Sequence, residues 1–316
     1  MSDPAAFAAR VRAALAPVLV GQDAALELLL AAWLARGHVL LEGPPGVAKT
    51  LLARAFSAAL GLPWGRIQFT PDLMPADVTG GAVFNFQDGS FRLQRGPVFT
   101  SVLLADEINR APPRTQAALL EAMQERQVTL DGQSHPLDAE FFVLATQNPA
   151  DHEGTYPLPE AQLDRFLLRV QMGHPDEDAE VEVYRRALAG SLPAADAPLP
   201  IAPVATRAEI AAVRAAAATV HVAPALLGYT SAVLRRTRSS PALAWGGSPR
   251  AGIAWLLVAR ARAALDGRGF VLPDDLKALA LPVLGHRLLP TPEAELDGFD
   301  VPRILDALLA DVPVPR

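Results

Sequence analysis

Short apolar runs alternate with amphipathic stretches over the first part of the chain. Between the runs, Thr50 to Leu60 and Thr115 to Glu125 carry apolar residues at three- and four-residue spacing, which is typical of amphipathic helices. The apolar runs themselves predict buried strands. They cover residues 38–42, 66–69, 102–106, 141–146 and 166–170. This alternation predicts an α/β domain over residues 1–188, with a parallel five-stranded sheet.

Two further stretches alternate polar and apolar residues on both sides of an Asp-Gly pair. They are residues 82–93, around Asp88-Gly89, and residues 127–137, around Asp131-Gly132. Asp-Gly tolerates the positive φ of a tight turn, so both stretches are predicted to be β-hairpins. They are either ordinary surface hairpins or insertions that carry function on the rigid sheet beneath them.

A Pro-rich stretch separates this region from a helical one. Residues 189–203 contain four prolines and little amphipathic period, which indicates a linker. Residues 204–316 then predict a small helical domain. Its candidate helices are Arg207 to Ala218, Pro224 to Thr237, Pro249 to Asp266, Pro273 to Leu281 and Val301 to Leu309.

Composition narrows the class of protein. The 316 residues are 51% hydrophobic and 20% charged, which supports a sizeable core and excludes a disordered or collagen-like chain. A net charge of -6 disfavours nucleic acid as a partner. With no cysteine, the chain lacks disulfides, thiol catalysis and Cys-ligated zinc.

No membrane or export segment is predicted. Asp3, Arg10 and Arg12 interrupt the region where a signal peptide needs an unbroken apolar stretch. Apolar runs such as Leu28 to Leu34 are far shorter than the roughly 18 residues of a membrane span. We therefore expect a soluble, cytoplasmic protein without membrane insertion.

The strongest chemical signal is a Gly- and Pro-rich segment between the first predicted strand and the helix that follows. Small residues there let backbone N–H groups face phosphate oxygens, and Lys49, one of only two lysines, supplies a point charge. The Thr50 hydroxyl would bind Mg²⁺. The alternative is a turn that merely caps a helix. The candidate phosphate-binding residues are Gly43, Pro44, Pro45, Gly46, Val47, Ala48, Lys49, Thr50 and Leu51.

Polar residues lie at the ends of three other predicted strands. Asp106 and Glu107 end the strand 102–106, where Asp106 is predicted to hold the Mg²⁺ hydration shell and Glu107 to polarise an attacking water. Asn148 follows the next strand and could hydrogen-bond a γ-phosphate or the water, although Asn-Pro is also a turn signal. Arg165 precedes the last strand and is either a functional or a solvated arginine.

One more candidate lies in the helical region. Ser248 and Pro249 predict an N-cap and the first helical residue, which places Arg250 in the first turn. A cation there opposes the helix dipole, so an anion such as a nucleotide phosphate is expected nearby. The six histidines show no metal-ligand spacing. They are His38, His135, His152, His174, His221 and His286.

In this order, the motifs resemble those of an AAA+ ATPase, and more closely those of the MoxR group. The resemblance covers nearly the whole chain, and MoxR-like proteins commonly have Ala at the position of Ala48. The stretches that carry it are Gly46 to Thr50, Gly96 to Phe99, Ala105 to Pro113, Leu119 to Glu125, Ala145 to Pro149 and Leu158 to Phe166.

The resemblance implies a role for each candidate residue. Asn148 would be sensor 1, Arg250 sensor 2, and Arg165 an arginine finger that reaches a neighbouring subunit's nucleotide. Val20 and Gly21, followed by Gln22, match the segment that lies near adenine. The helical region would be the lid, and both hairpins would face the pore of a ring, typically a hexamer.

The resemblance also implies a function and partners. MoxR-like ATPases are chaperone-like factors that mature or activate a client protein, often with a von Willebrand factor A domain protein. This chain has no Asp-x-Ser-x-Ser metal site of that domain, so such a partner would be encoded separately. ATP and Mg²⁺ are the implied cofactors. A DNA-directed AAA+ motor, a metal-chelatase subunit and a nucleotide-gated ring with negligible turnover remain alternatives.

Overall fold

The computed structural model describes residues 3–85, 90–148, 154–194 and 197–315. Its strands are β1 (Val39–Glu42), β2 (Trp64–Gln68), β3 (Gly80–Asn85), β4 (Ser90–Arg95), β5 (Val102–Asp106), β6 (Gln127–Leu130), β7 (Gln133–Pro136), β8 (Phe142–Gln147), β9 (Leu168–Gln171), β10 (Leu243–Trp245) and β11 (Leu289–Pro290). Its helices are α1 (Pro4–Leu15), α2 (Asp23–Leu34), α3 (Lys49–Leu60), α4 (Pro75–Thr79), α5 (Pro113–Glu125), α6 (Glu160–Leu163), α7 (Glu177–Leu188), α8 (Arg207–Ala218), α9 (Pro224–Ser239), α10 (Pro249–Leu265), α11 (Pro273–Leu284), α12 (Pro292–Leu296) and α13 (Val301–Asp311).

The central sheet is parallel and has five strands in the order β2-β5-β8-β1-β9. All residues of β1 and β5 are buried, as expected where helices cover both faces of a parallel sheet. Strand β8 lies between β1 and β5, so the carboxyl ends of these three strands meet at one edge. The predicted α/β fold with a parallel five-stranded sheet is confirmed.

The last central strand begins later than the pattern predicted. Phe166 was expected to start it, but β9 begins at Leu168. The Phe166 carbonyl instead accepts hydrogen bonds from His286 and Arg287. The Phe166 side chain is fully buried.

Both predicted hairpins form antiparallel pairs, β3 with β4 and β6 with β7. The second turns at Asp131 and Gly132, with φ of 50° and 77°. These left-handed conformations are the ones that Asp-Gly tolerates. The predicted turn pair Asp88-Gly89 of the first hairpin lies outside the described residues.

The carboxyl-terminal part of the chain is mainly helical, as predicted, and adds a short ladder of β10 with β11. It does not pack as a separate body. One hydrophobic cluster contains Phe7 and Trp33 of the first two helices together with Val213 of α8 and Trp255 of α10. Core and lid therefore share apolar surface that either would expose alone.

The segment predicted as a linker runs along α3. Arg54 donates to the Ala197 carbonyl at 2.6 Å, and the Val204 amide donates to Ala59 O at 2.8 Å. Leu199 and Ile201 pack against the shared core. Backbone bonds and apolar contacts thus tie this stretch to the first domain. Within the described residues, no helix combines the length and apolarity that crossing a bilayer requires.

Candidate functional site

The loop between β1 and α3 has the backbone that phosphate binding requires. Gly43 allows close approach, since a Cβ there would lie 2.2 Å from the Met172 carbonyl oxygen. Gly46 has φ of 87°, and Ala48 has φ of 64° and ψ of 26°. A left-handed residue just before the lysine explains why glycine is usual at that place. Ala48 adopts this conformation at a cost of about 1–2 kcal/mol.

Lys49 begins α3, and its Nζ donates to the Gly43 carbonyl at 2.7 Å. The ammonium is therefore held over the loop, near the backbone that would cradle a phosphate. Thr50 follows on the first turn of the helix and is half-buried. A cation and a hydroxyl at a helix N-terminus form a site that favours anions.

Asp106 ends β5 and is almost fully buried. Its Oδ1 accepts from Thr146 Oγ1 at 2.5 Å, and its Oδ2 accepts from Arg66 Nη2 at 2.8 Å and Nε at 3.2 Å. These bonds fix the plane of the carboxylate. Thr146 and Arg66 lie on the two strands that flank β5.

Glu107 follows with φ of 56°, a left-handed turn that carries its side chain away from the strand. Its amide donates to Thr146 Oγ1 at 2.8 Å. Its Oε2 accepts from Gln68 Nε2 at 2.8 Å and lies 3.0 Å from Arg110 Nε. Glu107 is thus an oriented carboxylate that is bound to polar neighbours rather than buried among apolar ones.

A single cavity of about 410 Å³ joins the loop with the ends of β5 and β8. It brings together the predicted residues Lys49, Thr50, Asp106, Glu107 and Asn148. Arg54 and Pro193 line it as well and were not predicted. The full lining is Pro45, Gly46, Ala48, Lys49, Thr50, Leu51, Arg54, Asp106, Glu107, Asn148 and Pro193.

The donor set at this cavity fits Mg²⁺ held together with a phosphate. Thr50 offers a hydroxyl and Asp106 a carboxylate, the hard oxygen ligands that Mg²⁺ prefers. The described residues contain no cluster of three or more His, Asp or Glu side chains that could cage a metal alone. Mg²⁺ that keeps several waters and binds phosphate oxygens needs no such cage.

Several predicted residues lie outside the lining of this cavity. Val47 is buried beneath the loop. Val20 and Gly21 precede α2, where Gln22 Nε2 donates to the Gly173 carbonyl at 3.4 Å. Gly173 directly follows Met172, whose carbonyl approaches Gly43. The segment predicted to lie near adenine is therefore connected to the loop through residues 172–173.

Arg250 lies near the segment that carries Arg165, outside the cavity around Lys49. Ser248 caps α10 as predicted, accepting from the Ala251 amide at 3.2 Å. Arg250 Nε is 3.9 Å from Asp164 Oδ2, and Arg165 is the next residue along the chain. Neither arginine lines the cavity around Lys49. Within the described residues, the Arg165 guanidinium makes no hydrogen bond or ion pair.

Among the described residues, His38 and His286 are the buried histidines, and both are structural. His38 Nδ1 accepts from the Val143 amide at 3.0 Å, which leaves the proton on Nε2 to donate to the Met123 carbonyl at 3.1 Å. Burial, together with the nearby Arg126 charge, lowers the pKa of His38 to about 3. Burial also holds the pKa of His286 well below its usual range. Both are neutral core residues, in keeping with the absence of metal-ligand spacing.

Sequence reasoning missed Arg66, Gln68 and Arg110, which hold the two acidic residues. Gln68 is the last residue of β2 and Arg66 lies two residues before it. Only the strand order places β2 beside β5. A polar residue at the end of a predicted parallel strand was the available signal. The sequence pattern alone did not show which strand would lie beside β2.

Comparison with known proteins agrees with this geometry. Residues 38–168 match the profile of the ATPase family associated with various cellular activities (AAA), and residues 235–307 match an AAA lid domain. The uncharacterized protein YeaC of Bacillus subtilis is 43% identical over 94% of this chain and 92% of its own length. Chaperone MoxR1 of Mycobacterium tuberculosis is 41% identical over 95% of this chain and 80% of its own length. A candidate ATPase of Cytophaga hutchinsonii with a crystal structure superposes with a TM-score of 0.90, at 37% identity over 99% of this chain and 96% of that one.

Proposed function

Because the chain belongs to the MoxR family of AAA+ ATPases, we propose that it hydrolyses ATP with Mg²⁺ and uses the energy to remodel a client protein. Membership of the AAA ATPase family supports ATP hydrolase activity in general. The observation that carries the finer proposal is the cavity that unites Lys49, Thr50, Asp106, Glu107 and Asn148.

Each residue has a distinct part in this proposal. Lys49 and the loop amides bind the β- and γ-phosphates, and Thr50 and Asp106 hold Mg²⁺ and its water shell. When bound there, Mg²⁺ would neutralise charge that develops on the phosphate oxygens. Glu107 orients the attacking water, for which it must exchange at least one of its bonds to Gln68 and Arg110. Asn148 contacts the γ-phosphate or the water.

Arg165 is proposed to act on a neighbouring subunit's nucleotide. It does not line the cavity of its own chain, and within the described residues its guanidinium has no partner. An arginine supplied in trans is worth about 10³–10⁵ in rate in related phosphoryl-transfer systems. Arg250 lies near Asp164, the residue that precedes Arg165, and we retain it as a candidate phosphate-sensing arginine.

The remaining parts of the proposal concern assembly and partners. We propose a ring, typically a hexamer, in which the hairpins β3–β4 and β6–β7 face the pore and contact a client. Chaperone MoxR1 is a relative over most of both chains, which supports a chaperone-like role. A separately encoded von Willebrand factor A domain protein is the proposed partner. We keep residues 1–188, 189–203 and 204–316 as core, linker and lid.

Steady-state ATP hydrolysis at several protein concentrations tests the proposal. We expect specific activity to rise with concentration in the wild type, to vanish in Arg165→Ala, and to be lost in Glu107→Gln with nucleotide binding retained. Arg236→Ala, an exposed lid arginine, is the matched control and should hydrolyse ATP like the wild type. Robust turnover by Glu107→Gln would overturn the role of Glu107.

The same assay separates the alternatives. Negligible turnover by an assembled wild type would favour a nucleotide-gated ring. If specific activity does not depend on protein concentration and is retained in Arg165→Ala, an arginine finger acting in trans is ruled out. Salt-dependent DNA binding that stimulates hydrolysis would revive a DNA-directed motor, which the net charge of -6 disfavours.

A further inference from the structure

Arg287 of the lid binds the segment that carries Arg165. Its Nε donates to Asp164 Oδ1 at 2.6 Å, and its Nη1 donates to the Leu167 carbonyl at 3.0 Å. Its Nη2 donates to the Phe166 carbonyl at 2.5 Å and to Asp164 O at 3.3 Å. The backbone on both sides of Arg165 is therefore fixed by one side chain from another part of the fold.

The arginine of this contact is almost completely removed from solvent. The Arg287 side chain is 4% exposed, and burial lowers its pKa while the bound Asp164 carboxylate opposes that effect. A buried guanidinium that binds a carboxylate and four carbonyls, the fourth that of Val283 in its own part of the chain, has little freedom to move. His286, next to it, shares the Phe166 carbonyl at 3.2 Å. Hydrogen bonds from the turn 285–287 thus take the place of the strand pairing that the sequence pattern predicted for Phe166.

The second carboxylate oxygen of Asp164 faces another lid arginine. Arg250 Nε lies 3.9 Å from Asp164 Oδ2, while Arg287 holds Oδ1. Arg250 comes from the first turn of α10, and Arg287 follows α11. Two lid elements therefore converge on the residue that directly precedes Arg165.

We propose that Arg287 is a positioning residue for hydrolysis in the neighbouring subunit. By holding Asp164, Phe166 and Leu167, it sets where the Arg165 guanidinium projects, and it makes that position depend on the placement of the lid. The inference rests on the proposed function, because it presumes that Arg165 acts in trans. A displacement of about 1 Å in a catalytic group costs up to about 10²-fold in rate.

Arg287→Gln tests this directly. We expect its kcat to fall about 10- to 100-fold, while the Kd for a fluorescent ATP analogue stays within about twofold of the wild type, since Arg287 does not line the nucleotide cavity. Arg236→Gln, which removes an exposed lid ion pair with Asp311, is the matched control. It should leave both quantities unchanged.

Mixed rings distinguish positioning in trans from a general folding defect. Glu107→Gln subunits have inactive sites but intact fingers, and Arg287→Gln subunits have intact sites but misplaced fingers. We expect a mixture of the two to hydrolyse ATP several-fold faster per Arg287→Gln subunit than that variant alone. If the mixture gains nothing, Arg287 does not act through the neighbour's site and the inference is overturned.

Failure of this inference differs from failure of the proposed function. If Arg165→Ala keeps full activity, the finger in trans is wrong and Arg287 has no finger to position. If Arg165→Ala is inactive but Arg287→Gln turns over at the wild-type rate, only the role of Arg287 is wrong. Should Arg287→Gln fail to fold, Arg287→Lys decides, because lysine keeps the charge but lacks the planar fork that binds the Asp164 carboxylate and the Phe166 and Leu167 carbonyls together. Wild-type kcat in that variant overturns the inference.

Discussion

The Arg66 guanidinium is bound to the Asp106 carboxylate, with Nη2 2.8 Å from Oδ2. Asp106 is the residue proposed to hold the Mg²⁺ water shell, so Arg66 and Mg²⁺ would share one carboxylate. The arginine side chain is 46% exposed and the carboxylate 12% exposed. Because solvent screens this ion pair, the pair is weak enough for Arg66 to be displaced from Asp106.

Removing Arg66 should make Mg²⁺ bind more readily. An exposed ion pair is worth up to about 1 kcal/mol, so Arg66→Gln should lower the Mg²⁺ concentration for half-maximal binding of an ATP analogue by about two- to fivefold. A Mg²⁺ titration monitored by the fluorescence of the analogue measures this. A higher Mg²⁺ requirement in the variant would show instead that Arg66 holds Asp106 in its productive orientation.

Ala48 should be a point of stored backbone strain. Its φ of 64° disfavours any residue with a Cβ, so Ala48→Gly should stabilise the fold by about 1 kcal/mol and retain nucleotide binding. Ala58→Gly, within the right-handed helix α3 that follows Ala48, should destabilise the fold by a similar amount. Urea unfolding of the wild type and both variants measures these changes in the free energy of unfolding. Destabilisation by Ala48→Gly would mean that the entropy of the unfolded chain outweighs the relief of strain.

His38 should make stability depend on pH. Its pKa is about 3 in the fold and about 6.5 when unfolded, so its contribution is complete above pH 6.5 and is lost as pH falls towards 3. Between pH 6.5 and 4.5 the loss is about 2 kcal/mol. In urea unfolding, the stability difference between the wild type and His38→Gln should shrink by that amount. If the free energy of unfolding of His38→Gln follows pH in parallel with that of the wild type, the assignment is contradicted.

Asp138 and Arg207 should stabilise the contact between core and lid. Arg207 binds both carboxylate oxygens at 2.8 and 3.0 Å and, as the main cause, lowers the pKa of Asp138 to about 2. The stabilisation is therefore present above the ordinary pKa near 4 and is lost as pH falls through about 2. Since Arg207 is about half exposed, we expect Asp138→Asn to cost only about 1 kcal/mol at pH 7.

Urea unfolding at pH 7 and pH 2 tests the Asp138 prediction. The cost of Asp138→Asn should be smaller at pH 2 than at pH 7. Asp311→Asn is the control, because it removes an ion pair in which both side chains are more than half exposed, and it should cost close to nothing. An equal cost of Asp138→Asn at both pH values would assign the effect to packing rather than charge.

Local sequence determined the elements and most of the candidate site. The apolar runs located β1, β5 and β8, and the Gly- and Pro-rich loop before Lys49 was recognisable because strand, loop and helix are contiguous. Asp106, Glu107 and Asn148 stand at the ends of strands, and parallel strands bring their carboxyl ends to one edge. Such signals depend on neighbours within a few residues of each other, which is why they could be predicted.

Tertiary structure decided which distant residues meet. Arg66 reaches Asp106 only because β2 lies beside β5, and Arg287 reaches Asp164 across 123 residues of chain. The lid shares one hydrophobic core with the first helices instead of forming its own. Side-chain periodicity records which face of an element is buried but not what covers it, so these partners depend on packing that no local pattern contains.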